Sequence, residues 1–356
     1  MTSDRKIVVT GAGGFIGGRV VEALVQHPEV GQVVPTVRRW GSLARIGRYP
    51  VEAAHCDVLE PGSLVSAVSG ADAIVHCAVG GRAVTVEGTR NVLQAALTAG
   101  ARRVIHVSTI DVYGRAEGTV TEDHPFERTG REYGDSKIEA EEACQEFVRH
   151  GLDVVILRPA IVYGPFSDLW TVQFAERLES GNWTLPAAAC QGTCNLVYVD
   201  DLVRAILLAI DADVVPGSAY NVNGPDRITW QSYVVGLNSG LGLPPLDPPA
   251  ESRTRLKTRL VEPFRKIVKS GYAAFEGPVQ WTYKRSRPAR TVIKSVQSLL
   301  RRVPAPAEYD LYGRVVDIQT LRAEAELGYT ATVLASEGIE RSVAWLRHEG
   351  AFGRVT

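Results

Sequence analysis

The sequence predicts an α/β fold whose first half is a parallel sheet wound with helices, and two patterns carry that prediction. Residues 6–10, KIVVT, form a short β-branched run that reads as a buried strand. It leads straight into Gly11-Ala12-Gly13-Gly14-Phe15-Ile16-Gly17 and an amphipathic stretch from Gly18 to His27, ended by Pro28. The second pattern lies further on, where Tyr133 follows Thr109 by 24 positions and Lys137 follows Tyr133 by four. Residues at i and i+4 share one face of a helix.

Strand, glycine turn and helix form the context in which a glycine fingerprint means dinucleotide binding. The glycines allow a tight turn and close backbone approach to a pyrophosphate, and the helix N-terminus supplies donors and positive potential. The Thr109, Tyr133 and Lys137 spacing is that of a proton-transfer site. An ammonium beside a phenol favours phenolate, lowering a pKa that starts near ~10. Tyr133 would then exchange a proton with a substrate oxygen near neutral pH.

At 356 residues the chain has room for two domains, or one large domain with a substantial appendage. Its 45% hydrophobic and 22% charged content is that of a globular enzyme, and a net charge of −1 argues against a polyanion-binding protein. No stretch approaches the ~20 apolar residues of a membrane span. MTSDRK runs directly into the first strand, leaving no room for a signal peptide, so a cytoplasmic location is expected. The cysteines Cys56, Cys77, Cys144, Cys190 and Cys194 are scattered and odd in number, which reads as reduced thiols. Cys190 and Cys194 have no second pair or nearby histidine, so no metal site is expected.

The G-x-x-G-x-x-G spacing, together with Thr109, Tyr133 and Lys137, resembles the short-chain dehydrogenase/reductase superfamily in its extended branch, the NAD(P)-dependent epimerase/dehydratase family. Further segments match that branch in order: Cys56-Asp57-Val58, His76-Cys77-Ala78, Val107 to Gly114, Arg158 to Pro165, Val197 to Asp201 and Tyr220-Asn221-Val222. The resemblance covers about residues 5–235 and resumes at 313–348. It implies a Rossmann-type doubly wound parallel sheet with a smaller, mainly helical C-terminal substrate domain. The core would span 1–165, completed by about 195–225. Residues 166–194 and 226–312 would form a substrate-binding and lid region, and 313–356 the C-terminal helices. Gly11, Gly14, Phe15, Ile16, Gly17, Asp57, Val58, Cys77, Ala78, Tyr133, Lys137 and Pro159 would contact the cofactor, with Asp57 meeting the adenine ring.

The second strand, Gln32 to Val37, ends in Arg38-Arg39. NAD-preferring relatives carry an acidic residue there, and none stands between Val30 and Val51. An arginine matches a ribose 2′-phosphate by charge and fork geometry. NADP(H) is therefore favoured over NAD(H), with Arg38 the primary phosphate partner and Arg39 the secondary.

By resemblance, Tyr133 is the general acid/base, Thr109 hydrogen-bonds the reacting oxygen, and Lys137 lowers the tyrosine pKa and holds the nicotinamide ribose. Ser108 is the alternative hydroxyl, but adjacent strand residues point to opposite faces, and the Val-Tyr-Gly that follows favours Thr109. The family's asparagine in the fourth helix is replaced by Thr85, so the proton relay is expected to differ; Asn91 is off register. Dehydratases of the branch carry an acid pair after the threonine. Here those positions are Ile110 and Asp111, and a structural or capping role is expected for Asp111.

Sugar-nucleotide enzymes of the branch carry an asparagine and an arginine where this chain has Ile161 and Cys194. An apolar side chain donates nothing to a phosphate and a thiol donates poorly. The substitutions favour the dihydroflavonol-reductase and 3β-hydroxysteroid-dehydrogenase types. Between Arg253 and Arg302 stand fourteen Lys/Arg against two glutamates, with helical apolar spacing. Three readings compete there: a helical lid, a peripheral contact with anionic membrane, and a site for a protein partner or anionic substrate. Nucleic acid is disfavoured.

The expected function is NADP(H)-dependent hydride transfer at a carbinol/ketone carbon of a small molecule. A sugar or nucleotide-sugar epimerase or dehydratase, and a cofactor-bound non-catalytic regulator, are the alternatives. The resemblance also implies a homodimer paired through the helices that carry the Tyr-Lys motif.

Overall fold

The computed structural model describes residues 5–27, 30–181, 185–246, 259–263 and 306–348. Most of the basic 253–302 segment therefore lies outside the described residues.

Seven parallel strands form the main sheet: β1 (Lys6–Thr10), β2 (Gln32–Val37), β3 (Ala54–His55), β4 (Ala73–His76), β5 (Arg103–Val107), β7 (Val154–Pro159) and β11 (Ala219–Val222). Their order is β11-β7-β5-β4-β1-β2-β3, so the order reverses between β1 and β4. Such a reversal opens a crevice at the carboxyl ends of the strands, where open α/β sheets bind ligands. Helices α2 (Pro61–Val68), α3 (Arg82–Ala99) and α4 (Glu132–Arg149) cover one face. Their Leu64, Val92, Leu93, Ala143 and Phe147 share one core with Val8, Ile74, Val104 and Ile156 of the strands. Helices α1 (Phe15–Val25) and α6 (Val199–Asp211) pack together and contact the sheet on its other side.

Strand side chains alternate faces, so the residues two positions on face the same helices α2–α4. Along four strands that step replaces an apolar residue with a polar one: Val8 to Thr10, Ile74 to His76, Val104 to His106, Ile156 to Arg158. All four polar residues are buried. The face is thus oil at mid-sheet and polar at the ligand end.

The chain divides into two compact units. The first comprises residues 1–167, 195–226 and 316–338 and holds the sheet. The second comprises 168–194, 227–315 and 339–356. The C-terminal segment is shared between the two units. Strand β13 (Val316–Ile318) pairs in parallel with β6 (Gly118–Val120), and the Tyr329 hydroxyl donates to the Asn223 carbonyl at 2.9 Å, tying 316–338 to the first unit. In the second unit, α5 (Gln173–Glu179), α7 (Trp230–Gly240) and α8 (Pro306–Gly313) supply its helices. Trp230 and Tyr312 meet edge-on at 4.8 Å, and Phe174 stacks on Trp230 at 6.3 Å. Helix α9 (Leu321–Leu327) belongs to the first unit, and α10 (Ala335–His348) begins there and ends in the second.

Candidate active site

The glycine turn is shaped by contacts that only glycine tolerates. Gly11 has φ +68°, and a Cβ on it would stand 2.7 Å from the Ala78 nitrogen. Beta-1 and the segment after β4 therefore touch backbone to backbone, which places Cys77 and Ala78 beside the turn. Gly13 packs against Ser42, and Gly14 caps α1 with no side-chain hydrogen bond. The turn closes through the Gly14 amide to the Gly11 carbonyl at 2.9 Å. Phe15 and Ile16 open α1 beyond an uncapped end, where amides are free to meet an anion.

Arg38 and Arg39 are exposed, and the hydrogen bonds given for both run through their backbone carbonyls, to His55 and to Ser42. Neither guanidinium is engaged with another described side chain. The loop beyond them is fixed, because Arg45 ion-pairs with buried Glu22 at 3.2 Å and donates to the Phe15 carbonyl at 3.1 Å. An open glycine turn beside two uncommitted guanidiniums fits a dinucleotide. Asp57 and Val58 follow β3. The Asp57 carboxylate accepts from the Leu59 amide at 3.0 Å, and buried Val58 packs against Gly88 of α3. Pro159 is buried at the end of β7.

At the end of β5 the two consecutive hydroxyls part company. Ser108 turns inward and donates to the buried Glu141 carboxylate. Thr109 caps a 3-10 turn, Ile110–Tyr113, accepting from the Asp111 amide at 3.2 Å. Its side chain also acts on the Tyr133 phenol, favouring the phenolate. The structure thus brings Thr109 and Tyr133 together and removes Ser108 from candidacy.

Lys137 overturns one expectation. Its ammonium is buried and donates to the Val107 carbonyl at 2.7 Å. Burial lowers its pKa to about 8, against the pull of Cys77 and Glu141. Tyr133 is not depressed by it. Burial of the hydroxyl end, followed by the field of Asp111, pushes the phenol up to about 12, while Thr109 acts in the opposite sense. The phenol is therefore protonated at neutral pH, even though the side chain as a whole is 47% exposed.

Asp111 stands in the first turn of the same 3-10 segment. The capping oxygen in this turn belongs to Thr109, and the Asp111 carboxylate makes no hydrogen bond or ion pair among the described residues. Gly134 allows it close to α4: a Cβ on Gly134 would stand 3.8 Å from the Asp111 Cβ.

Thr85 is buried and donates to the Gly80 carbonyl at 3.1 Å, closing the loop that leads into α3. Asn91 donates to the Val58 carbonyl at 3.0 Å. Thr89 donates to the Thr85 carbonyl at 2.5 Å, so it accepts from His76 Nε2, leaving Nδ1 to accept from Thr10. His76 is therefore neutral, and burial, with Lys137 nearby, holds its pKa at about 3.

Sequence reasoning missed the network beneath the site. Arg158 forks onto Glu141 through Nη2 at 2.7 Å and Nε at 3.1 Å, and Nη1 reaches the Tyr113 hydroxyl at 2.9 Å. Tyr113 donates to Asn221 at 2.7 Å. One signal was available: Glu141 follows Lys137 by four, on the same helix face. His106 was missed as well. It is 1% exposed, lies 5.5 Å from the His76 ring, and neither of its nitrogens has a hydrogen-bond partner.

Of the residues marked against sugar nucleotides, Ile161 is half-buried in β8 (Ile161–Tyr163), which pairs with β10 (Leu196–Tyr198). Cys194 is buried in β9 (Thr193–Cys194), paired with β12 (Ile228–Thr229) in the second unit. All five cysteines are free thiols. Among the described residues no helix is long and apolar enough to cross a membrane, and no group of His, Cys, Asp or Glu is placed to hold a metal.

Comparison with known proteins identifies the family and the fold. The family model of the NAD dependent epimerase/dehydratase family matches residues 7–223. Sterol demethylase protein B of Methylococcus capsulatus is 28% identical over 96% of this chain and 98% of its own length. Human 3 beta-hydroxysteroid dehydrogenase type 7 is 32% identical over 57% of this chain and 62% of its own. Among solved structures, the dTDP-glucose 4,6-dehydratase DesIV of Streptomyces venezuelae, with NAD and TYD bound, superposes with a TM-score of 0.72 at 26% identity, covering 99% of this chain and 100% of that one. The chain belongs to the NAD dependent epimerase/dehydratase family, within the extended short-chain dehydrogenases/reductases.

Proposed function

We propose that this enzyme is an NADP(H)-dependent oxidoreductase acting on a secondary carbinol or ketone of a small, weakly charged molecule. The observation that carries the reading is that Thr109 and Tyr133 meet at the carboxyl end of the sheet that also carries the glycine turn, with Lys137 one helical turn on. A bound nicotinamide cofactor supplies or accepts the hydride. Tyr133, held as a phenol, donates its proton to a carbonyl oxygen during reduction and recovers one during oxidation. Thr109 takes the Asp111 amide at its oxygen, so its own proton is free to steady that carbonyl oxygen. Lys137 spends one donor on Val107 and keeps the others for a ribose hydroxyl. Arg38, with Arg39 beside it, takes the 2′-phosphate.

Sterol demethylase protein B and a 3 beta-hydroxysteroid dehydrogenase among the relatives support a sterol-like alcohol. Ile161, in the position of a phosphate-binding asparagine, supports the same choice against a sugar nucleotide. We place the activity in the cytoplasm, consistent with five free thiols.

Binding of NADPH and NADH to the purified chain, wild type and Arg38→Ala, tests the cofactor assignment. The variant should weaken NADPH by roughly 10- to 100-fold, the range of a hydrogen bond to a charged group, and leave NADH nearly unchanged. Tighter NADH than NADPH binding in the wild type would refute it. Tyr133→Phe should lower turnover by about 10²- to 10⁴-fold with its melting temperature intact. Epimerisation would use the same residues, and would reveal itself by turnover without net NADPH consumption.

A further inference from the structure

Three side chains converge at the end of β5, and the proton-transfer reading assigns two of them. Thr109 and Tyr133 are neighbours, the threonine acting on the phenol in the sense that favours phenolate. Asp111 is the third. Its backbone amide holds the Thr109 oxygen, its carbonyl accepts from the Gly114 amide at 3.1 Å, and its carboxylate bonds to no described residue. Asp111 stands in the first turn of this 3-10 segment, where a carboxylate suits the N-terminal end, but the side-chain cap itself is made by Thr109, which leaves the carboxylate oxygens open.

Position gives that carboxylate a target. It lies beside the first turn of α4, where the absence of a side chain on Gly134 lets the two segments approach, and its field acts on the Tyr133 phenol next to Gly134. It is half-buried, so solvent screens it only in part. A half-buried carboxylate with open lone pairs accepts hydrogen bonds and resists a second negative charge.

We propose that Asp111 is a specificity-determining residue of this site, accepting a hydrogen bond from a hydroxyl or ammonium that the substrate carries next to its reacting carbon, and excluding substrates with a carboxylate there. This rests on the oxidoreductase reading above and narrows it. The substrate class is a carbinol with a neighbouring donor, such as a vicinal diol, an amino alcohol or the corresponding ketone. Hydride and proton accounting is unchanged, since Asp111 takes no part in either transfer.

The test is a series in which one secondary-alcohol ring carries hydrogen, hydroxyl or carboxylate on the neighbouring carbon. It is made on a cyclohexanol and on a 3β-hydroxysteroid scaffold. Binding to the NADP-loaded protein and kcat/KM are both measured, for wild type, Asp111→Asn and Asp111→Ala. Wild type should prefer the hydroxyl member over the hydrogen member by roughly 10- to 100-fold, as a hydrogen bond to a charged acceptor does. Asp111→Ala should abolish that preference, mainly through KM. Asp111→Asn keeps an acceptor oxygen but loses the charge, so it should retain part of the preference and admit the carboxylate member. Turnover with the same preferences in all three proteins would overturn the Asp111 assignment and leave the oxidoreductase reading standing. NADP binding with no binding or turnover of any member would overturn both.

Discussion

Lys137 and Glu141 lie one turn apart on the same buried face of α4, yet they belong to regions built on opposite terms. Around Glu141 every strong polar group has a partner: the Arg158 fork, the Ser108 hydroxyl, then Tyr113 and Asn221 beyond. Around Lys137 the groups are spare. Among the described residues the ammonium has one acceptor, His106 has no partner, and the Asp111 carboxylate is uncommitted, as are the two guanidiniums at the far strand β2. The saturated network fixes the ends of β5 and β7 and the 3-10 turn that carries Thr109. The spare groups are the ones a ligand can claim. A side chain saturated by its neighbours serves position, and one left short serves binding.

Substitutions that strand a partner in the saturated network should have the largest effect. Arg158→Met leaves the Glu141 carboxylate buried and unpaired, and should cost about 3–5 kcal/mol in urea unfolding. Adding Glu141→Leu should recover most of it, since removing both charges of a buried pair is far cheaper than removing one. A double variant as unstable as the single would break the comparison.

A smaller and sharper contrast is available at two adjacent hydroxyls. Ser108→Ala should lose about 1–3 kcal/mol of stability, the worth of a hydrogen bond to a charged group, with kcat within a few-fold of wild type. Thr109→Val should cost no more than about 0.5–2 kcal/mol, the worth of one N-cap hydrogen bond, while turnover falls by about 10-fold or more. If both variants lost stability and neither lost rate, Thr109 would belong to the network.

The smallest effect is expected at His106. Burial, with Lys137 and His76 nearby, holds its pKa well below the usual histidine range, and His76 is held at about 3. Both rings are neutral in the folded protein and take up protons on unfolding below about 6.5. The unfolded state then binds more protons, so stability falls as pH drops from about 6.5 towards 3. His106→Phe removes an unsatisfied imidazole and one of those sites. It should gain about 1 kcal/mol at pH 7 and flatten the acid limb of the stability profile. An unchanged acid limb would mean that His106 finds a partner in solution.

Much of the site was legible in the sequence because its rules are local. The i, i+4 spacing put Tyr133 and Lys137 on one face, and strand alternation separated Ser108 from Thr109 before any coordinate did so. What resisted reading depends on distant residues. Lys137 meets a carbonyl 30 positions away in the chain, Arg158 meets Glu141 17 away, and Tyr113 meets Asn221 108 away. Nothing in MTSDRK or any other single segment encodes those partnerships. The expected drop in the Tyr133 pKa failed for this reason, since spacing shows who shares a face but not which acceptor wins the ammonium.

The sequence by itself determined the sheet, the glycine turn and the family, because each follows from short-range periodicity and backbone geometry. Only the tertiary structure decided that Ser108 is held by Glu141, that Lys137 turns to Val107, and that the Asp111 carboxylate has no partner among the described residues. Those outcomes are settled by competition among donors and acceptors brought together by folding, and a linear order of residues does not rank the competitors.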